Sequence, residues 1–198
     1  APSVRLVFQD QYNIDEQNNT VIGYIVIDNI DVQEDVENLY GILFSIEYDN
    51  TFIEEGSLEI TYQDSWLGTA LEVAPLYKDF YNEGQMDLAF TRGDQASVSG
   101  SGIIATVSFI IEDNLIGYTN DYDIPMNVTN VYAHNHMAEE QAFNGEATDV
   151  NISIISSNEN ILSQESIEVY PNPTSGELVI DMKGLNGETV SLYNAIGQ

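Results

Sequence analysis

Apolar residues recur at every second position over most of the chain. Between Tyr40 and Tyr48, the side chains of Tyr40, Ile42, Phe44, Ile46 and Tyr48 fall on one side, with Gly41, Ser45 and Glu47 opposite. Successive side chains of an extended backbone point to opposite faces, so this alternation predicts a half-buried β-strand. The same period runs through Val4/Leu6/Phe8, Leu58/Ile60/Tyr62 and Met86/Leu88/Phe90. It returns in Ile103/Ala105/Val107/Phe109/Ile111, Ile124/Met126/Val128 and Val150/Ile152/Ile154. Val21–Ile27 is apolar on both faces, which predicts a strand covered on two sides. Eight or nine strands thus fall between Val4 and Ile155, separated by turns rich in Gly, Asn and Asp. Only Ala74–Glu83 leaves room for a short helix, and it carries few helical signals. The economical architecture is all-β: a jelly-roll-like β-sandwich.

The pattern changes after Ile155. Ser156–Ser166 is polar, has little periodicity and reads as a linker. Ile167–Tyr170, Leu178–Met182 and Val190–Tyr193 are three short strand candidates among prolines and glycines. So short a tail buries little surface alone. The predicted organisation is a sandwich over residues 1–155, a linker over 156–166 and a small β segment over 167–198.

Charge narrows the function classes. The 198 residues hold 33 Asp and Glu against four cations, Arg5, Lys78, Arg92 and Lys183, for a formal net charge of −29. A surface so poor in cations cannot neutralise phosphates, which excludes ordinary nucleic-acid binding and docking on anionic membranes. Self-repulsion at this charge costs folding free energy, which salt or bound Ca²⁺ relieves. There is no cysteine, so disulfides, thiolate metal sites and thiol nucleophiles are absent. No run approaches the roughly 20 apolar residues of a membrane span, and no signal-peptide pattern is present. The first residue is Ala1 rather than Met, as expected of a trimmed mature chain or of an excised piece of a longer one.

Candidate chemistry is sparse. No nucleophile elbow, P-loop or zinc-protease helix motif occurs. Acid pairs are inevitable at this abundance and point nowhere, so no catalytic residue is assigned. His134 and His136, with Glu139 and Glu140 nearby, form an H-x-H pair that suits Zn²⁺ or Cu²⁺; a polar hairpin loop explains them as well. Arg92-Gly93-Asp94 spells an adhesion tripeptide, a match that accident also supplies. Ca²⁺ takes six to eight oxygen ligands, and two segments are dense in them. One holds Asp28, Asn29, Asp31, Glu34, Asp35 and Glu37, the other Asn120, Asp121 and Asp123. The candidate ligands are Asp28, Asp31, Asp121 and Asp123, against the plainer reading of solvated acidic loops. No cofactor is expected, a structural Ca²⁺ being the one candidate. Tyr62, Trp66, Tyr77, Phe80 and Tyr81 cluster between two strands, a stacking platform of the kind that binds sugar rings.

Two resemblances add to this. Glu168–Gln198 carries YPNP-T-S-G (Tyr170–Gly176), an alternating LVIDM strand and a V-S-L-Y-N-A-x-G-Q run. It resembles the C-terminal sorting domain of proteins exported by the type IX (Por) secretion system. The pattern stops after G-Q, where such domains continue through a further strand. The motif residues are Tyr170, Pro171, Asn172, Pro173 and Gly176, and the resemblance implies the outer-membrane export machinery as a partner.

The second lies in the first 155 residues. GILFSIEYD (Gly41–Asp49), MDLAFTR (Met86–Arg92), SGSGIIATVSFII (Ser99–Ile111) and the Asn130–Ile152 region resemble cohesin-like modules, which are related to some carbohydrate-binding modules. That likeness implies a non-catalytic module, secreted or on the cell surface, that binds a protein partner such as a dockerin on a sheet face. Leu43, Ser45, Glu47, Asp87, Ala89 and Thr91 are the candidate surface. The alternative is a carbohydrate-binding module that takes an extracellular polysaccharide on Tyr62, Trp66, Tyr77 and Tyr81.

Overall fold

The structure, a computed structural model, describes residues 1–28, 36–116, 120–155, 168–170 and 179–181. The chain divides into two compact units, Ala1–Ser156 and Ser157–Gln198. In the first unit the strands are β1 (Ser3–Val7), β2 (Tyr12–Ile14), β3 (Thr20–Asp28), β4 (Val36–Leu39), β5 (Gly41–Tyr48) and β6 (Glu59–Tyr62). They continue with β7 (Val73–Phe80), β8 (Gln85–Arg92), β9 (Val98–Gly100), β10 (Gly102–Ile110) and β11 (Asn120–His134). Last come β12 (Glu140–Gln141), β13 (Asn144–Gly145) and β14 (Ala147–Ile154).

They form two principal sheets. The first runs β13-β1-β3-β10-β6; the second runs β2-β14-β11-β5-β8-β7, with β12 paired to β11. β4 and β9 make a short separate ribbon. The chain starts in the first sheet with β1 and crosses to the second with β2. Each of these strands lies parallel to one from the far end of the unit, β1 on β13 and β2 on β14. The remaining strand pairs are antiparallel.

The period-two residues meet between the sheets. Val4, Leu6, Val21, Ile25, Ile27, Ile60, Val107 and Phe109 come from the first sheet; Ile42, Phe44, Ile46, Met86, Leu88 and Phe90 come from the second. Ile124, Met126, Val128, Val150, Ile152 and Ile154 extend the same layer, and all of these are buried. Phe44 and Phe90 stack at 6.2 Å between ring centroids at its centre. Two inner faces interleaved in this way are the sandwich the alternation predicts.

Three details differ from the sequence reading. Val21–Ile27 is not covered along both faces: Ile22 and Tyr24 are exposed. The outer side of β3, which is antiparallel to both its neighbours, meets water over most of its length, with Val26 alone of that side buried. Ile103 does not join Ala105 and Val107 in the core. A bulge between Ile103 and Ala105 inserts one residue, so Ile104 turns inward and Ile103 outward. Ala74–Glu83 is not helical. It is the edge strand β7, followed by a 3-10 turn over Tyr81–Glu83, and an edge tolerates Pro75.

In the second unit, β15 (Glu168–Tyr170) pairs antiparallel with β16 (Val179–Asp181). Val190–Tyr193 and four of the sorting-motif residues, Pro171, Asn172, Pro173 and Gly176, lie outside the described residues. Tyr170 is the last residue of β15.

Candidate docking face

The outer face of β11, β5, β8 and β7 carries the predicted surface. In the ladder, Leu43 stands opposite Ala89, Ser45 opposite Asp87 and Gly41 opposite Thr91, while Glu47 faces Gln85. Directly opposed residues of antiparallel strands share a face, so all six candidates lie on one side of one sheet. The next strand extends the rows: Leu76 stands opposite Ala89 and Lys78 opposite Asp87.

The other flank of β5 is shaped by a bulge. Thr129 pairs with Ser45 but Tyr132 pairs with Leu43, so β11 spends one residue more than β5 over that step. Asn130 takes a left-handed backbone there, with φ 53°. A bulge re-aims the side chains around it. It brings Tyr132 level with Leu43 and swings Asn130 toward Ser45, whose hydroxyl lies 3.4 Å from the Asn130 amide nitrogen.

One row across four strands is therefore apolar: Tyr132, Leu43, Ala89 and Leu76. Tyr132 is 56 % exposed, Leu43 46 % and Leu76 65 %. The row beside it is polar and internally bonded. Ser45, only 5 % exposed, donates to Asp87 Oδ1 at 2.8 Å. Gln85 Nε2 donates to the same oxygen at 2.7 Å. Glu47 accepts from Thr129 at 2.9 Å. The ammonium of Lys78 lies over the Phe80 ring, 4.5 Å from its centroid. Between the rows is an open groove of about 520 Å³, lined from β5, β8 and β7 and, on its far side, by Asn130. Sequence reasoning missed Leu76, Tyr132, Asn130 and Gln85. The Ala74/Leu76/Lys78 alternation was the available signal for the first, and nothing in the sequence announces the β11 bulge.

The aromatic group does not assemble into a platform. The Tyr62 hydroxyl donates to the Gly68 carbonyl at 2.8 Å, and its ring packs on Phe90. Trp66 lies against Gly100, where an added Cβ would sit 3.1 Å from the indole, so the glycine is what lets the ring approach. Tyr81 donates to the carbonyls of Asn50 and Ile53 at 3.0 and 3.1 Å. Burial pushes the Tyr62 and Tyr81 phenols above their ordinary range. Tyr77 alone of the four stands exposed, on β7.

The remaining candidates have structural partners. Asp28 accepts from Arg5 Nε and Nη2 at 2.9 and 2.7 Å. Asp121 and Asp123 belong to β11, not to a loop, and pair with Ser153 and Asn151 across the ladder. Asp31 lies outside the described residues, among which no three His, Asp or Glu side chains converge as a metal would require. His134 ends β11 and its ring packs beside Tyr40; the His136 ring nitrogen and backbone N–H both meet the Ser97 hydroxyl at 3.1 Å.

Arg92 is 6 % exposed. Its guanidinium donates to the Leu67 carbonyl and to both carboxylate oxygens of Asp94, with Glu72 at 3.8 Å. The adhesion tripeptide is thus closed on itself. Arg92 holds the Asp94 carboxyl below its usual range. Glu72 is also lowered, first by hydrogen bonds from the Thr69 backbone and hydroxyl and then by Arg92.

No protein-family model and no curated protein matches this chain. Solved structures do. A type II cohesin domain from the cellulosome of Acetivibrio cellulolyticus superposes with a TM-score of 0.56 at 10 % identity, over 76 % of this chain and 95 % of that one. A type I cohesin–dockerin complex from Clostridium thermocellum gives 0.55 at 14 % identity, over 76 % and 94 %. The cohesin module of a Clostridium perfringens family 33 glycoside hydrolase gives 0.55 at 10 %, over 76 % and 96 %. Identities this low speak to architecture, and the architecture they establish is a cohesin-like β-sandwich.

Proposed function

We propose that the sandwich is a protein-docking module of a secreted or cell-surface protein, and that its partner seats on the β11–β5–β8–β7 face. The observation that carries this is the four-strand apolar row, raised to solvent on a chain of net charge −29. Side chains of this size gain about 25 cal/mol per Å² on losing water, and a row with a bonded polar margin has the make-up of an interface core and rim. One of the similar structures is a cohesin held by a dockerin, so a dockerin is the first partner to try. The tail's resemblance to a type IX sorting domain supports export.

Calorimetric titration with purified type I and type II dockerins tests the reading, using the wild-type chain, Leu43→Asp and Leu76→Asp. Both side chains are exposed, so the variants are expected to keep their fold, which circular dichroism checks. Binding is expected to the wild type and to be lost in both variants. Binding that survives both substitutions overturns the assignment of this face.

A further inference from the structure

We propose that Asp87 sets the specificity of this face, and that the partner it selects presents a guanidinium or ammonium group beside an aliphatic ridge. This rests on the docking reading above and concerns the partner's chemistry.

Asp87 is a carboxylate with one oxygen fixed and the other open. Oδ1 takes both hydrogen bonds, from Ser45 and from Gln85. Ser45 is buried and is itself approached by Asn130 from the β11 bulge, so the network crosses three strands and holds the carboxylate in one orientation. Oδ2 takes no hydrogen bond from the described residues. The cation opposite in the ladder, Lys78, lies on the Phe80 ring and makes no ion pair with Asp87. An oriented anion outside any ion pair therefore stands at the margin of an apolar groove, with the Lys78 ammonium of the same groove held over the Phe80 ring.

Charge decides the occupant. The other described cations are engaged, Arg5 with Asp28 and Arg92 with Asp94. A second copy seated on the same face would set Asp87 and Glu47 against their own kind, with −29 on each chain. An acidic partner meets the same repulsion. A cationic group reaching Oδ2 instead makes a charge-assisted bond, roughly twice as strong as a neutral one. Leu43, Ala89 and Leu76, which line the same groove, exclude water around it once the partner is seated, as the ring of contacts around a hot spot does. Because Ser45 and Gln85 set the carboxylate beforehand, little ordering is left for the moment of binding.

The probe is a displayed library of three-helix scaffolds with one randomised face, selected on the wild-type chain and counter-selected on Leu43→Asp. The surviving binders are expected to carry Arg or Lys beside Leu, Ile or Met. Asp87→Asn, which keeps the acceptor for Ser45, is expected to weaken them about tenfold or more and to flatten their salt dependence. Ser45→Ala, which frees the carboxylate to turn, is expected to weaken them about threefold. Binders without Arg or Lys, or with affinity for Asp87→Asn within about twofold of wild type, overturn the role of Asp87 and leave the docking face standing. Recovery of no binder that Leu43→Asp abolishes overturns the docking face and this inference together.

Discussion

Replacing Arg92 by Met tests whether the one buried guanidinium among the described residues is a structural bolt. The Met side chain keeps most of the aliphatic stem, so the change isolates the charged head. What it removes is the donor to the carbonyl of Leu67, a residue with no exposed surface. An unsatisfied buried acceptor costs about 1–3 kcal/mol. Asp94 and Glu72 are partly exposed and fall back to water, so their share is small beside this and is not added to the figure. A loss of about 2 kcal/mol in a domain of this size lowers the melting temperature by roughly 4–8 °C. Circular dichroism melts and urea titrations at pH 7 measure it. The pH dependence is an internal check. Both carboxyls titrate below their ordinary values in the folded chain, so their contribution is complete above about pH 4.5 and is lost as pH falls through the folded values. Only the Asp94 share of the gap between wild type and Arg92→Met should therefore fade in acid; the Leu67 share stays, and Glu72, held down first by Thr69, keeps its shift in the variant. A variant within about 0.5 kcal/mol of wild type at pH 7 would refute the argument.

Three more outcomes follow from the same physics. Trp66→Ala removes the ring that lies on Gly100 and should cost about 2 kcal/mol in urea unfolding, less than a fully buried Trp; equal stability would show that the indole is not packing. In alkali, Tyr48 titrates above its ordinary value because of burial and its hydrogen bond to Asp79, and Tyr12, Tyr62 and Tyr81 are raised chiefly by burial. Their stabilisation is whole below about pH 10 and erodes above it, so tyrosinate absorbance should rise in two stages, the later one coinciding with unfolding. A single stage near pH 10 with the fold intact would contradict this. Finally, the melting temperature should climb as NaCl rises from about 0.05 to 1 M, as screening of the −29 charge requires; a flat profile would discard the repulsion argument.

What could be read from the chain alone depended on whether a strand kept its period. In β5 and β8 the inward positions Ile42, Phe44, Ile46, Met86, Leu88 and Phe90 are all apolar, so the phase alone puts Leu43, Ser45, Glu47, Asp87, Ala89 and Thr91 on one face. β7 is interrupted by Pro75 and, being an edge, buries few of its positions, so no clean alternation marks it and Leu76 was lost with it. In β10 and β11 a single extra residue reverses the phase, which moves Ile103 outward and Tyr132 onto the docking face. Partners far apart in sequence were the least visible. Trp66 needs the bare backbone of Gly100, and Arg92 needs the Leu67 carbonyl; neither contact leaves a local pattern. Spacing likewise grouped aromatics that the fold then sent to different neighbours.

The parallel pairing of β1 with β13 and of β2 with β14 has a mechanical consequence. Tension entering ahead of β1 and leaving after β14 pulls these neighbours lengthwise past each other rather than peeling them apart. Rungs strained in that direction share the load and must give way together. A tether threaded through this module is thus clasped at both sheet margins, and grips most firmly when hauled end to end.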